Sequence, residues 1–367
     1  MQLGLTRTEV SVILLLTMKI PVLIPSVPTF GHIEKYLKKI DITRRYSNFG
    51  PLEYELRCRL SEYLGCRPEN VATASNATVA ITGGLQTSGF ADEEWFLPSW
   101  TFAATAAAAQ SIRQKYFVDV DSSWRGRFES NHEFVIDVLP FGDSLVGDRY
   151  SGKKAAVVDA AASVANLEGV FSKCSGNNVF VVVSMHATKL IPAGEGAFVF
   201  SPNTEWISSF QRWTNFGFDE NRIATFAGTN AKLSEYSAAV GLASLDSRYR
   251  VFDDYRSLTD RALEISSNFD FLCHPAMSNR LITPYWIVTA SSTHQKQTLV
   301  KRAKNLGIEV RDWWQKGCHR MPPFKDWPAM PLPNTERLGD LTLGLPFHAY
   351  LEEADLSLLS NLLEDST

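Results

Sequence analysis

The chain has 367 residues, 45% of them apolar, and a formal net charge of −4 without a block of like charge. Such a length suits two lobes that share an interface and bury a large core, and the charge argues against nucleic acid as the main partner while leaving small-molecule chemistry open. The cysteines Cys58, Cys66, Cys174, Cys273 and Cys318 form no C-x-x-C pair, which argues against zinc or a disulfide framework and for a reducing cytoplasm.

From the N-terminus, "VSVILLLTM" (Val10 to Met18) is apolar and follows Arg7, but it is only about half of a membrane span, and no small-residue cleavage site follows it. Residues 1–17 are therefore expected to be a dispensable extension, with Met18 as an alternative start and a signal segment as the competing reading. Neither a membrane partner nor a resident metal is expected.

"FGPLEYELRCRLSEYLGC" predicts a helix: Pro51 suits its first position, Leu52, Leu56, Leu60 and Leu64 form one stripe, and Gly65 stops it. Short apolar runs then alternate with helical or loop segments. "AAVVD" and "VFVVVS" are apolar on consecutive residues, as strands covered on both faces require. The fold class is α/β, with a mainly parallel sheet flanked by helices. From about Lys232 the pattern turns helical; a strand-like "LITPYWIVTA", the helix "HQKQTLVKRAKNLG", a Pro-rich loop and the helix "LEEADLSLLSNLLED" close the chain. The lobe boundary is expected near Arg250, giving a large lobe over 18–250 and a smaller C-terminal α/β lobe over 251–367.

Four features could carry chemistry. Asp159, in "AAVVDAAAS", stands at the carboxyl end of a buried strand, where open α/β sheets bind ligands; it could equally cap a following helix. Lys189 comes about one crossover unit later, with Ser184, His186 and Thr188 before it and "AGEGA" after it, where Gly194 and Gly196 allow close backbone approach; a solvated surface lysine is the plainer alternative. Desolvated, such a lysine becomes nucleophilic towards carbonyls. In "TASNATVAI" an apolar segment opens a helix whose free amides, with the Ser75 and Thr78 hydroxyls, could cradle a phosphate or simply cap the helix. In "PSWTFAAT", Trp100 and Phe102 could stack on a flat ligand or pack in the core. Together an acid for a ring nitrogen, a lysine for an aldehyde, a phosphate cradle and a stacking ring describe one ligand, pyridoxal 5'-phosphate.

The ordered strings "NFGPLEYELRCRLSEYLG", "ASNATVA", "PSWTFAATAAA", "VDAAAS", "SMHATKLIPAGEGA", "NFGFDENRIATFAGTNAKLSEYSAAVGLASLD" and "LPFHAYL" resemble the DegT-type sugar aminotransferases, of aspartate aminotransferase fold (pyridoxal phosphate fold type I), from about Ile24 to Glu364. The resemblance implies that Lys189 is the Schiff-base lysine, that Asp159 partners the pyridine nitrogen, and that Phe102 stacks on the cofactor with Trp100 nearby. It further implies that Ala77, Thr78 and Ser184 hold the phosphate, and that Asn230 reaches the cofactor of the other subunit in a homodimer with shared sites. Three departures stand out: Ala162 replaces a Gln or His common in the family, "GEGA" replaces "GEGG", and "SNAT" replaces a Gly-containing form. Dehydratases of the same family carry histidine at the lysine position, so Lys189 argues against that reaction; a non-catalytic homologue is the rival of another class.

The implied reaction transfers the amino group of L-glutamate, through pyridoxamine phosphate, to a nucleotide-linked keto sugar. "HATK", "NFGF" and "NAKLSE" look most like the subgroup acting on dTDP-4-keto-6-deoxyglucose to give dTDP-4-amino-4,6-dideoxyglucose, with a 3-keto or a UDP- or GDP-linked sugar as the alternative. O-antigen, other glycan and antibiotic sugars all use such enzymes. Substrate contacts are expected from His186, Arg222, Arg311 and His319, each of which could also be a surface or interdomain residue.

Overall fold

The computed structural model describes residues 19–269 and 271–364. The proposed extension, residues 1–17, and Met18 lie outside the described residues. Helices α1 (Phe30–Thr43) and α2 (Pro51–Leu64) precede β1 (Val71–Ala74), α3 (Ala77–Gln86), β2 (Glu94–Pro98), α4 (Ala103–Ala109), β3 (Gln114–Val118), β4 (Phe134–Val138), β5 (Ala155–Asp159), β6 (Val179–Ser184) and β7 (Ala197–Phe200). Then α5 (Thr204–Trp213), α6 (Glu235–Asp246) and α7 (Arg248–Ser267) lead to β8 (Leu272–Cys273), α8 (Pro275–Ser278), β9 (Trp286–Thr289), α9 (Thr293–Leu306), α10 (Pro333–Leu341), β10 (Thr342–Leu345) and α11 (Glu353–Glu364).

The seven-stranded sheet has the order β1-β7-β6-β5-β4-β2-β3, and β7 runs antiparallel to both of its neighbours while the other pairings are parallel. Every residue of β5 and β6 is buried, the outcome expected of consecutive apolar residues in strands covered on both faces. In the second sheet β9 lies between β8 and β10, all antiparallel. The Pro-rich loop before α10 returns to the large sheet: Phe117 donates to the Pro328 carbonyl and Met330 to the Phe117 carbonyl, so this segment covers the edge that β3 would otherwise expose.

Helix α2 forms as its sequence predicts. Leu52, Leu56, Leu60 and Leu64 are fully buried, and Gly65 ends the helix at φ 78°. Its N-terminus has no cap of its own; instead the Glu235 carboxylate, from the first turn of α6, accepts from the amides of Leu52 at 2.8 Å and Glu53 at 2.9 Å. A Cβ at position 50 would come within 2.6 Å of that carboxylate, so a side chain there would displace the cap. Helix α1 is an addition that the sequence pattern did not announce: only Tyr36 and Ile40 of its fourteen residues are buried, too few for a clear stripe.

Candidate active site

Parallel strands β5 and β6 end side by side, and the site is built on their carboxyl ends. Asp159, the last residue of β5, is 6% exposed. Its Oδ2 accepts from the Thr105 hydroxyl at 2.6 Å, and Thr105 is linked in turn to Thr101 at 2.8 Å, one turn earlier in the α4 segment. Oδ1 accepts from the Ala161 amide at 3.1 Å. No α-helix follows, so Asp159 closes a local turn and is not a helix cap. Burial raises its pKa above the ordinary carboxylate range, opposed by the Thr105 and Ala161 hydrogen bonds and by the charge of Lys189.

Lys189 lies in the connection from β6 to β7. The two arms of that connection are tied by hydrogen bonds from Met185 to Gly196, from Ala187 to Gly194 and from Ala193 to Met185, of 2.7 to 2.8 Å. Gly194 takes φ +78°, a conformation that side chains resist, and a side chain at Gly196 would press on Leu233 at 3.0 Å. The loop is therefore fixed, and Lys189 Nζ donates to the Tyr285 hydroxyl at 2.8 Å.

The third contributor is the start of α3. Asn76 caps it by accepting from the Val79 amide at 2.9 Å, while the first amides of the helix have no intrahelical partner. Ala77 and Thr78 line the same cavity as Ser184, whose hydroxyl accepts from the His186 amide at 3.2 Å.

One cavity of about 590 Å³ brings together Ala77, Thr78, Phe102, Asp159, Ser184, His186, Lys189 and Arg311. Phe102 is 55% exposed, a large apolar ring presented at the N-terminus of α4. His186 is hydrogen-bonded to the Thr188 hydroxyl at 3.0 Å, with its other nitrogen 3.6 Å from Glu195. Arg311 pairs with Glu309 at 2.6 Å and lies 4.8 Å from the Trp313 ring centre.

Other expected residues lie elsewhere. Trp100 is corrected from a ligand platform to a core residue: it is 2% exposed and packs edge-on against Trp314 and Trp124, because its turn is pinned inward by the Cys318 amide donating to the Ser99 carbonyl. Ser75 does not line the cavity, and its amide holds the Ala231 carbonyl at 2.8 Å. His319 is bonded to Ser99 at 2.7 Å and lies 3.5 Å from Glu336, and burial lowers its pKa. It, too, is outside the cavity, as is Arg222, which is exposed in the excursion between the paired residues Asn215 and Asn230. Asn230 is exposed and accepts from Lys232 at 2.7 Å.

The cavity also uses residues that the sequence did not single out. Phe141 stacks on Trp314, with ring centres 4.1 Å apart, and these rings, with Trp313, Tyr285 and Leu23, wall the cavity beside Ala162. Thr105 could have been found by its place four residues after Thr101 in the string that carries Phe102. Tyr285 gave no signal.

These residues fit pyridoxal phosphate. Among the described residues, a buried carboxylate bonded to a hydroxyl and an amide suits a ring N–H, a lysine bonded to a phenol is free to meet an aldehyde, and a helix N-terminus with Thr78 and Ser184 beside it suits a phosphate. Among the described residues, no cluster could hold a metal ion, and no helix is long and apolar enough to cross a membrane.

Comparison with known proteins agrees with this geometry. The family model described as the DegT/DnrJ/EryC1/StrS aminotransferase family matches residues 31–126 and 154–363. A dTDP-4-amino-4,6-dideoxy-D-glucose transaminase of Escherichia coli is 29% identical over 65% of this chain and 69% of its own. A GDP-perosamine synthase of Caulobacter vibrioides is 28% identical over 89% of this chain and 93% of its own. The crystal structure of DesI in the presence of its TDP-sugar product superimposes with a TM-score of 0.80 at 26% identity, over 93% of this chain and 92% of that one. The chain belongs to the DegT/DnrJ/EryC1/StrS aminotransferase family and is a pyridoxal phosphate-dependent sugar aminotransferase.

Proposed function

We propose that this enzyme transfers the amino group of L-glutamate to carbon four of a nucleotide-linked 4-keto-6-deoxysugar, with dTDP-4-keto-6-deoxyglucose as substrate and dTDP-4-amino-4,6-dideoxyglucose as product. The observation that carries the reaction type is the convergence of Asp159, Lys189 and the α3 N-terminus on one cavity. Pyridoxal phosphate, when bound, supplies the electron sink that lets a carbon–hydrogen bond next to nitrogen break. Asp159 keeps a proton on the ring nitrogen, and the low exposure of its carboxylate strengthens that contact. The Lys189 amine carries the proton away from the α-carbon of glutamate and, in the second half-reaction, returns one to carbon four of the sugar. Ala77, Thr78 and Ser184 bind the phosphate, and Phe102 covers one face of the ring. His186 and Arg311, at the cavity wall, contact the nucleotide sugar.

The enzyme works as a homodimer in the cytoplasm, with Asn230 completing the partner's site. Support for the dimer is the exposed position of Asn230 outside its own cavity; the five cysteines are free thiols, as a reducing compartment favours. We keep the lobe boundary near Arg250, a residue in the first turn of α7. The dTDP-linked substrate is supported by the E. coli relative and by DesI. A GDP-linked 4-keto sugar is the second reading, favoured by the longer match to the GDP-perosamine synthase.

The test is product mass after incubation with glutamate and, separately, dTDP-4-keto-6-deoxyglucose and its GDP-linked counterpart. Amination of the dTDP sugar alone supports the first reading; amination of the GDP sugar alone replaces it with the second. Amination of neither sugar, with glutamate still converted to 2-oxoglutarate, overturns both substrate assignments and keeps the reaction type.

A further inference from the structure

We propose that Tyr285 is the positioning residue of Lys189: its hydroxyl docks the lysine amine whenever that amine is free, and so aims it for capture of the cofactor and for proton transfer. This inference rests on the reading of Lys189 given above. The contact joins parts far apart in the chain, since Lys189 comes from the β6–β7 connection and Tyr285 stands at the entry to β9. The hydrogen bond is 2.8 Å long, and Tyr285 is the hydrogen-bond partner that the described residues give Nζ. Among the described residues no hydrogen bond joins Nζ to Asp159, whose oxygens accept from Thr105 and Ala161.

The chemistry of a phenol suits a lysine that must gain and lose a proton. A phenol accepts a hydrogen from the ammonium and donates one to the neutral amine, so the contact survives either state. A carboxylate in the same place would favour the charged form alone.

The tyrosine itself is held firmly. Its ring packs edge-on against Phe141, with centres 5.7 Å apart, and against Trp313 at 5.0 Å. Its carbonyl accepts from His274 Nε2 at 3.0 Å and from the Thr283 hydroxyl at 3.2 Å, and its amide donates back to that hydroxyl. A group fixed by two rings and three hydrogen bonds can orient a flexible four-carbon side chain.

The experiment uses Tyr285→Phe, which keeps the ring and removes the hydroxyl, and Tyr285→His, which keeps a group able to donate and accept. Apoprotein is pulsed with pyridoxal 5'-phosphate, quenched with borohydride at timed intervals, and the Lys189 peptide is quantified by mass spectrometry. Capture by Tyr285→Phe is expected to be about 10- to 100-fold slower than by wild type, with partial recovery in Tyr285→His and an unchanged melting temperature. In the loaded enzyme, the isotope effect with α-deuterated glutamate is expected to rise in Tyr285→Phe while the KM for glutamate stays within about threefold, because proton transfer and not binding has been impaired. Equal capture rates and equal isotope effects in wild type and Tyr285→Phe overturn the inference, as does a loss in both variants that follows melting temperature alone. Should wild type fail to capture the cofactor on Lys189, the reading of that lysine falls and this inference with it, an outcome distinguished by the failure of wild type itself.

Discussion

Two buried carboxylates on neighbouring strands, Asp137 and Asp159, have opposite surroundings. In the β4–β5 register Asp137 pairs with Val158 and Val138 with Asp159, so alternation sends the two carboxylates to opposite faces of the sheet. Asp137 is fully buried and neutralised within the chain: the Arg149 guanidinium donates to it at 2.6 Å and the Tyr150 hydroxyl at 3.0 Å. Asp159, on the cavity face, receives a hydroxyl and an amide from the described residues. Asp137 is matched by a cation from its own chain, whereas Asp159 is hydrogen-bonded to neutral donors, and burial holds its pKa up.

That contrast can be broken from either side. Asp159→Asn is expected to lower turnover about 10²- to 10³-fold by steady-state assay, since it removes a charge aimed at the cofactor. The same change should leave the apoprotein as stable as wild type or more so. The sign follows from the raised pKa: favourable burial of the protonated acid is lost as pH rises through the folded-state value, and asparagine has no such loss. Asp137→Ala should show the reverse pattern. It takes the nearer carboxylate from Arg149, whose side chain is 19% exposed, leaving Asp121 at 3.5 Å, and should cost about 3 kcal/mol in urea unfolding.

An effect that reaches similar size only at low pH comes from acid. His274 is buried with its pKa lowered to about 4, chiefly by burial, while its Nε2 donates to the Tyr285 carbonyl. Because the unfolded chain binds this proton first, stability should fall as pH drops from about 6.5 towards 4, by up to about 3 kcal/mol, and His274→Gln should flatten that slope in urea titrations. Smallest is Thr105→Val, which removes the hydroxyl bonded to Asp159 and should cost about 1–2 kcal/mol in stability. Its turnover should lie between those of wild type and Asp159→Asn.

Those residues also mark what a sequence can convey. Asp159 was legible as the end of an apolar run at the edge where parallel sheets bind ligands, and Lys189 through the company of Ser184, His186, Thr188 and two glycines just beyond the next such run; each alone had a plainer reading, and the cavity holds both. The leucine stripe of α2 was legible for another reason, a local period with a single meaning. Trp100 was not, because an aromatic three residues before a helix faces ligand or core according to contacts made from afar, here the Cys318 amide on Ser99. Tyr285 lies 96 residues from the lysine it touches, inside a run that reads as an ordinary buried strand. Contacts of that separation follow from tertiary packing and leave no local period.

The central claim, that Lys189 and Asp159 operate a cofactor that carries the amino group, is tested most directly by absorption spectra of wild type and Lys189→Ala loaded with pyridoxal phosphate. Wild type should show a visible band that glutamate bleaches and dTDP-4-keto-6-deoxyglucose restores, while Lys189→Ala should complete neither change at a comparable rate. A wild-type protein that shows no such band, or a Lys189→Ala variant that cycles as fast as wild type, would contradict it.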